Sequence, residues 1–453
     1  MTAHVLRITD GTTTKTFTSG DSMTLIKYEP RISLNGEDIE ETAEIRLASA
    51  TPATNTGNYQ AIERLFLQAR NYAKTETGKR VYVEFDPGAT GTARRSMITN
   101  GGIKLNDEVL ATRQYDQSIA ATISWTRQPF WEGALAQIPL TNASATDDTA
   151  GIAITNANDA TAENWVSIKA AGVSGDLPAP IKLQMYNSKS GADASDEIFV
   201  FHNVYSTPAS LDHIYEGEDA TGAGITDTGD ATDSGDFYAS IAWTATTETL
   251  LATWALSSAE LDYMAGGRFK ILARWHAAFP YTNVWLRLKL ESANSVLLNG
   301  ELTPVTKDQR GLHIIDTMRL PPYLAGQANL KGINLKLYAL RNTAGTHTIA
   351  LDYLMLGAIS GDNGWKRFVS VDQGAAGVAY QEYFTHDMTE GFTYRTDTSA
   401  DIIAEFSEYG GDIMLVPATV QKLYFLTSDY NGLAKVDQTW TIKLWYRPRW
   451  NAI

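Results

Sequence analysis

Ile349-Ala350-Leu351-Asp352-Tyr353-Leu354-Met355-Leu356 is an apolar stretch with one carboxylate inside it, a pattern typical of a buried β-strand. A second stretch, Ile214-Tyr215-Glu216-Gly217-Glu218-Asp219-Ala220, places acids at alternate positions where another strand begins. The residues between the two stretches alternate strand-like runs with turn-like clusters. The two stretches therefore predict the first and last strands of one β-domain, with different sequence on either side of it.

The composition extends this expectation to the whole chain. Its 453 residues predict about three domains, and 43% apolar with 20% charged residues is enough to bury several cores. Clusters of Gly, Thr, Asp and Asn separate short apolar runs throughout. We expect a mainly β protein with several β-sandwich or jelly-roll domains and one helix packed on the N-terminal β-domain.

Charge and residue usage exclude several classes of function. The net charge of −15 argues against nucleic-acid recognition, which needs a basic surface. The absence of cysteine removes disulfides, thiolate nucleophiles and cysteine-based metal sites. The first 17 residues are polar and have no apolar core typical of a secretory signal, and no apolar run approaches the length of a membrane span. We expect no membrane insertion, and release from the cell by lysis if the protein leaves it.

Residues 1–135 predict a first β-domain that contains one helix, at about residues 58–73. The helix is indicated by one apolar stripe, with Asn58 as its N-cap. The stripe consists of Ile62, Leu65, Phe66, Ala69 and Tyr72. We expect the helix to cover one face or open end of the β-structure.

The remaining residues predict a domain interrupted by another. Residues 138–205 hold too few strands to close a sandwich alone, so we expect them to form one discontinuous sandwich with residues 365–453. Residues 213–360 then form a jelly roll inserted in a loop of that sandwich. Two of its strands alternate strictly. The residues on one face are Phe269, Ile271, Ala273 and Trp275 in the first, and Val284, Leu286, Leu288 and Leu290 in the second.

Two short motifs carry a family resemblance. Arg127-Gln128-Pro129-Phe130-Trp131-Glu132 closes the first domain, and Tyr446-Arg447-Pro448-Arg449-Trp450 lies near the end of the sequence. Both are similar to motifs of siphophage distal tail proteins. The resemblance implies a homohexameric ring built by the N-terminal domains, a galectin-like sandwich, and contacts with the tail tube and the tip or hub. Ala418 departs from the glycine that this family has after the proline at the position of Pro417.

The inserted segment has a resemblance of its own. Its acidic first strand and its last strand with a lone Asp are similar to carbohydrate-binding modules of the family 6/35 type, although Gly217 replaces their usual alanine. The resemblance implies a structural Ca²⁺ held by Glu216, Glu218 and Asp352, and Ca²⁺ prefers such oxygen ligands. The alternative is that these acids are simply solvated at a strand end.

A sugar-binding site requires exposed aromatic rings with polar groups beside them. The candidate glycan-binding residues are Trp254, His276, Phe279, Tyr281 and Trp285. Residues 276–283 are expected to form a loop with two aromatic side chains. Trp275 fits the inward face of its strand and is expected in the core, and a core position is also an alternative for Trp254.

No catalytic motif for a zinc protease, a hydrolase elbow or a nucleotide-binding loop occurs, so we expect no enzymatic activity. The sequence favours a phage virion structural protein that resembles a distal tail protein, made in the host cytoplasm and carrying a module that binds host surface glycans. Two alternatives stay open: an extracellular glycan-active enzyme or its carbohydrate-binding subunit, and a tail tube protein with a decoration domain.

Overall fold

The structure is a computed structural model that describes residues 4–18, 23–32, 36–49, 51–88, 92–106, 118–142, 146, 149–154, 165–188, 197–205, 214–230, 237–244, 246–293, 295–307, 311–324, 332–359, 362–370, 377–396, 401–403, 406–428 and 439–451. The expectation of a mainly β protein is confirmed. The chain divides into two compact units. The first comprises Met1–Ala136, Ser174–Ala179 and Arg447–Ile453, and the second comprises Gln137–Val173 and Pro180–Tyr446.

The first unit is an antiparallel sheet with one long helix against it. Strands are numbered along the whole chain, and those of this sheet are β1 (Val5–Thr9), β2 (Thr14–Phe17), β3 (Met23–Tyr28), β4 (Ile39–Ala48), β5 (Tyr82–Asp86), β6 (Arg94–Leu105), β7 (Ser118–Arg127), β8 (Trp131–Glu132) and β33 (Arg449–Trp450). Their order in the sheet is β2-β1-β5-β6-β7-β4-β3, with β8 pairing both β6 and β33. The unit thus takes its last strand from residues that we had assigned to the sandwich.

Helix α1 spans Pro52–Thr75, so the predicted start at Asn58 is wrong. The true N-cap is Thr51, whose side chain accepts a hydrogen bond from the Thr54 amide, and Pro52 suits the first helical position because its missing N–H has no partner there anyway. Asn58 instead accepts a hydrogen bond from Lys15 at 2.8 Å. Most of the predicted stripe is buried against the sheet, namely Ile62, Leu65, Phe66 and Ala69.

Two sheets of the second unit combine strands from before and after residues 214–358. One contains β9 (Ala136–Gln137), β10 (Ile152–Ile154), β12 (Ala179–Asn187), β26 (Tyr383–Asp387), β27 (Phe392–Thr396), β28 (Asp401–Ile403), β30 (Met414–Leu415) and β32 (Trp440–Tyr446). The other contains β11 (Trp165–Ile168), β13 (Glu197–Tyr205), β25 (Gly364–Ser370), β29 (Phe406–Gly410) and β31 (Val420–Ser428). We call these two sheets the sandwich.

The other two sheets of this unit use only strands between residues 214 and 358, and we call them the module. The first, the closing sheet, contains β14 (Ile214–Glu216), β15 (Ile225–Gly229), β16 (Phe237–Trp243), β18 (Arg268–Trp275), β22 (Gly311–Arg319) and β24 (His347–Ala358). The second, the outer sheet, contains β17 (Thr249–Ala255), β19 (Val284–Ser292), β20 (Ser295–Asn299), β21 (Thr303–Val305) and β23 (Asn334–Arg341). Both predicted alternating faces lie in the core between these sheets.

Short helices complete the second unit. Helix α2 (Ser258–Met264) was missed by the sequence analysis, although Ser257 and Glu260 form a capping box at its start. Two short 3₁₀ helices lie at Ala170–Gly172 and Pro322–Leu324. Across the described residues, no helix is both long and apolar enough to cross a bilayer.

The module and the sandwich share a buried apolar cluster. Phe199 and Phe201 of β13 pack there with Tyr353 and Met355 of β24. The approach is close at Gly357, where an added Cβ would lie 2.2 Å from a ring carbon of Phe201. Because burying such apolar surface contributes roughly 25 cal/mol per Å², this contact stabilises the packing of the module on the sandwich.

Candidate functional site

The predicted metal ligands lie where the first and last strands of the module meet. Strand β14 ends at Glu216, and the Gly217 amide donates a 2.6 Å hydrogen bond to the backbone oxygen of Asp352. Glu218 falls in the turn that follows, and not on the strand as we expected. A Cβ at Gly217 would lie 2.3 Å from the Leu351 oxygen, so the close approach of the two strands explains why glycine stands at this position.

Asp352 is fully buried and pairs with the guanidinium of Arg274, which is also buried. Strand β18 pairs with β24, and Arg274 lies opposite Tyr353. The next residue, Trp275, lies opposite Leu351, so the register shifts by one residue between them. This β-bulge leaves Asp352 as the extra residue. A full positive charge therefore already neutralises the carboxylate that was expected to bind calcium.

The residues at this corner do not fit the predicted calcium site. Glu216, Glu218 and Asp352 are all described, and no group of three or more His, Asp or Glu within the described ranges is arranged to hold a metal ion. Calcium needs 6–8 oxygen ligands, whereas the Arg274 guanidinium occupies the Asp352 carboxylate. The physical reason is the bulge, which turns Asp352 toward a cation carried by the neighbouring strand.

Two of the five candidate glycan-binding residues belong to the core of the module. Trp254 is 3% exposed and Phe279 is 1% exposed. The Trp254 indole N–H donates to the backbone oxygen of Glu216 at 2.7 Å, and the Phe279 ring packs edge-on against Trp275. Neither ring can stack on a sugar, so their assignment to a glycan site is corrected. The burial of Trp275 is confirmed.

The other three candidates are partly exposed but lie on different elements. His276 follows β18 and stacks on Tyr238, with ring centres 3.8 Å apart. The Tyr281 hydroxyl accepts a 2.7 Å hydrogen bond from the Thr348 amide. Trp285 lies on the outward face of β19, because Val284 on the opposite face is buried. His276 and Tyr281 thus belong to the loop after β18, whereas Trp285 belongs to the outer sheet.

The structure adds a cationic partner to Tyr281 that the sequence analysis missed. The Arg341 guanidinium lies 4.1 Å from the centre of the Tyr281 ring, a cation–π contact. The same arginine donates to Nδ1 of His347, so Nε2 carries the imidazole proton and donates to the Thr343 oxygen at 2.8 Å. No local pattern could have joined Arg341 to a loop that precedes it by some sixty positions in the sequence.

The two motifs that resemble tail proteins come together in the first unit. Strand β33 pairs with β8, which aligns Arg449 with Glu132 and Trp450 with Trp131. The Arg449 guanidinium donates to the Glu132 carboxylate at 3.0 Å and lies 3.9 Å from the centre of the Phe130 ring. The motifs therefore form one packed structure instead of closing two separate domains.

A buried ion pair anchors the first of these motifs. Arg127 donates to the Glu41 carboxylate at 2.8 Å, and both side chains are fully buried. Tyr28 donates its hydroxyl proton to the same carboxylate at 2.7 Å, and burial together with Glu41 strongly raises the pKa of Tyr28. The Arg127 guanidinium also stacks on Trp131, 4.2 Å from the ring centre. This arginine of the motif therefore has a structural role.

No family model matches the chain, and no curated protein matches it. Among solved structures, a chain of the phage P2 baseplate in its activated conformation with Ca is 7% identical, with 94% of this chain and 99% of that chain covered and a TM-score of 0.25. A chain of the infectious bursal disease virus VP2 subviral particle is 10% identical, with 70% and 80% covered and a TM-score of 0.19. At TM-scores this low, neither likeness identifies the fold or the role of this chain.

Proposed function

We propose that this protein is a structural component of a phage virion, similar in role to a distal tail protein. It forms a homohexameric ring between the tail tube and the tip or hub of the baseplate. It is made in the host cytoplasm and has no enzymatic activity. The observation that supports the proposal is that the two motifs similar to those of distal tail proteins lie in paired strands, β8 and β33, of the N-terminal unit.

Electron microscopy of the purified full chain tests the ring. We expect single particles with six-fold symmetry and an axial hole. Mass photometry over a concentration series accompanies the images, because a weak ring dissociates on dilution. A protein that stays monomeric at every concentration, and in the presence of tail extract, would overturn the assignment. A tail tube protein, the alternative from the same class, would instead form open stacks of rings.

We further propose that the module binds host surface glycans through the partly exposed residues His276, Tyr281 and Trp285. Aromatic rings stack on the apolar faces of sugars, and Arg341 beside Tyr281 supplies hydrogen-bond donors for hydroxyl groups. Six modules on one ring raise avidity by about 10²–10⁴ over a single module when the glycans are clustered. Weak individual sites therefore suffice for host attachment.

A glycan array with the full chain tests this site. The isolated module is a poor reagent, because it would expose Tyr353 and Met355, which the sandwich covers. Tyr281→Ala and Trp285→Ala are measured separately, and the variant that loses binding shows whether the loop or the outer sheet is used. Tyr323→Ala is the matched control, since that side chain is 52% exposed on the same module and outside the proposed site. Unchanged binding by both variants would refute the site.

A further inference from the structure

We propose that residues 447–450 act as a clasp, a strand that completes the N-terminal unit only after residues 137–446 have been synthesised. The clasp governs how the chain becomes competent to assemble, whether or not the proposed ring forms. Three distant segments of the chain meet in this unit: 1–136, 174–179 and 447–453.

The clasp lies between two partners and bonds to both. On one side, Arg449 pairs with Glu132 of β8, and the Gly133 amide donates to the Pro448 oxygen at 2.9 Å. On the other side, the Asp176 and Leu177 amides both donate to the Arg449 oxygen, at 2.7 and 3.2 Å. The clasp thus fills a slot whose two walls come from earlier parts of the chain.

Both walls of the slot are shaped by glycine. A Cβ at Gly133 would lie 2.9 Å from the Trp450 ring, and a Cβ at Gly175 would lie 2.5 Å from the Arg449 oxygen. Gly175 also has a φ of +115°, which other residues rarely adopt. At these two positions the lack of a side chain therefore allows the clasp to approach the backbone more closely than any other residue would permit.

Side chains of the clasp contact groups that are largely buried in the complete unit. The Glu132 carboxylate is almost buried and receives the Arg449 guanidinium at 3.0 Å. The Trp450 ring is covered by Arg94, whose guanidinium carbon lies 3.9 Å from the ring centre. Among the described residues, the ion pair that Glu132 retains when the clasp is removed is the longer one to Arg95, at 3.7 Å. Loss of the clasp therefore removes the shorter ion pair of Glu132 together with the pairing of β33 and β8, so the N-terminal unit is incomplete until the clasp arrives.

Hydrogen exchange on a chain that ends at Tyr446 tests the clasp, with a chain that ends at Asn451 as the matched control. We expect exchange in residues 128–133 to rise roughly tenfold or more in the shorter chain, because local opening then exposes β8. Protection in β13 and β19 of the other unit should not change. A synthetic peptide of residues 445–453 should restore protection, and the same peptide with Arg449→Ala should not.

A second perturbation keeps the proposal testable if the shorter chain fails to fold. Gly175→Val in the full chain blocks the slot while leaving the clasp sequence intact, since its Cβ would collide with the Arg449 oxygen. The variant should show the same local increase of exchange in residues 128–133. Full protection of these residues in either the chain ending at Tyr446 or the Gly175→Val variant would overturn the clasp.

Discussion

Replacing Arg274 by Met tests the corner that joins the first and last strands of the module. The change leaves the carboxylate of Asp352 fully buried without its countercharge. Removing one partner of a buried ion pair costs about 3–5 kcal/mol of unfolding free energy. With an unfolding entropy of about 2.1 cal/mol/K per residue over the roughly 300 residues of the second unit, that loss lowers the melting temperature by about 5–8 °C. Calorimetry of the full chain, with hydrogen exchange in β18 and β24, measures the loss.

The double variant Arg274→Met/Asp352→Leu gives the sharper result. Replacing both charges removes the unpaired carboxylate, so we expect the double variant to regain most of the stability that either single change loses. Arg287→Met is the matched control, because Arg287 pairs with Glu248 at 3.0 Å on a partly exposed face of the same module. Its cost should be about 1 kcal/mol or less. Single effects that simply add in the double variant would refute the pairing.

Adding a chelator distinguishes this ion pair from the calcium site that the sequence predicted. Because Arg274 already neutralises Asp352, we expect excess chelator to shift the melting temperature of the unaltered chain by less than about 1 °C, whereas loss of a tightly bound ion would shift it by several degrees. A large decrease that added calcium reverses would show that the residues near Glu216 and Glu218 hold the metal after all.

Three further predictions use other buried groups. Gly357→Ala should cost about 1–3 kcal/mol and raise exchange in β24, since its Cβ would overlap the ring of Phe201, and unchanged exchange would contradict the shared cluster. Glu41→Gln should cost about 3–5 kcal/mol in chemical denaturation because Arg127 stays buried without its countercharge, and a loss under 1 kcal/mol would contradict this role. Burial lowers the pKa of His202 to about 4, so the unfolded chain binds more protons as the pH falls from 6.5 to 4, and up to about 3 kcal/mol of stability is lost there. His202→Gln should flatten this part of the curve of stability against pH, and an unchanged curve would contradict the assignment.

Local patterns predicted the parts of the fold that depend on near neighbours. The alternation in β19 placed Val284 and Leu286 in the core, because successive side chains of a strand point to opposite faces. The stripe on α1 placed Phe66 against the sheet for the corresponding helical reason. The start of α1 was missed because the residues from Thr51 to Gly57 resemble a turn, although Thr51 followed by proline is a valid helix start.

The candidate site depended on distant neighbours, and there the sequence was a poorer guide. It identified Asp352 as a lone carboxylate in an apolar strand, whereas Arg274 is one of three cations in its strand, with Arg268 and Lys270. The sequence therefore offered three possible cationic partners for Asp352 in that strand, and the register with its bulge decides that Arg274 is the one that meets it. Trp254 likewise is of a residue type that often binds sugars, but its side chain lies in the core.

The sequence by itself therefore determined the β class, the faces of the alternating strands and the aromatic candidates for the proposed glycan site. Only the tertiary structure decided that Arg274 neutralises Asp352 and that β33 belongs to the N-terminal unit. The physical reason is that alternation acts over a few residues, whereas strand pairing and burial depend on the topology of the whole chain.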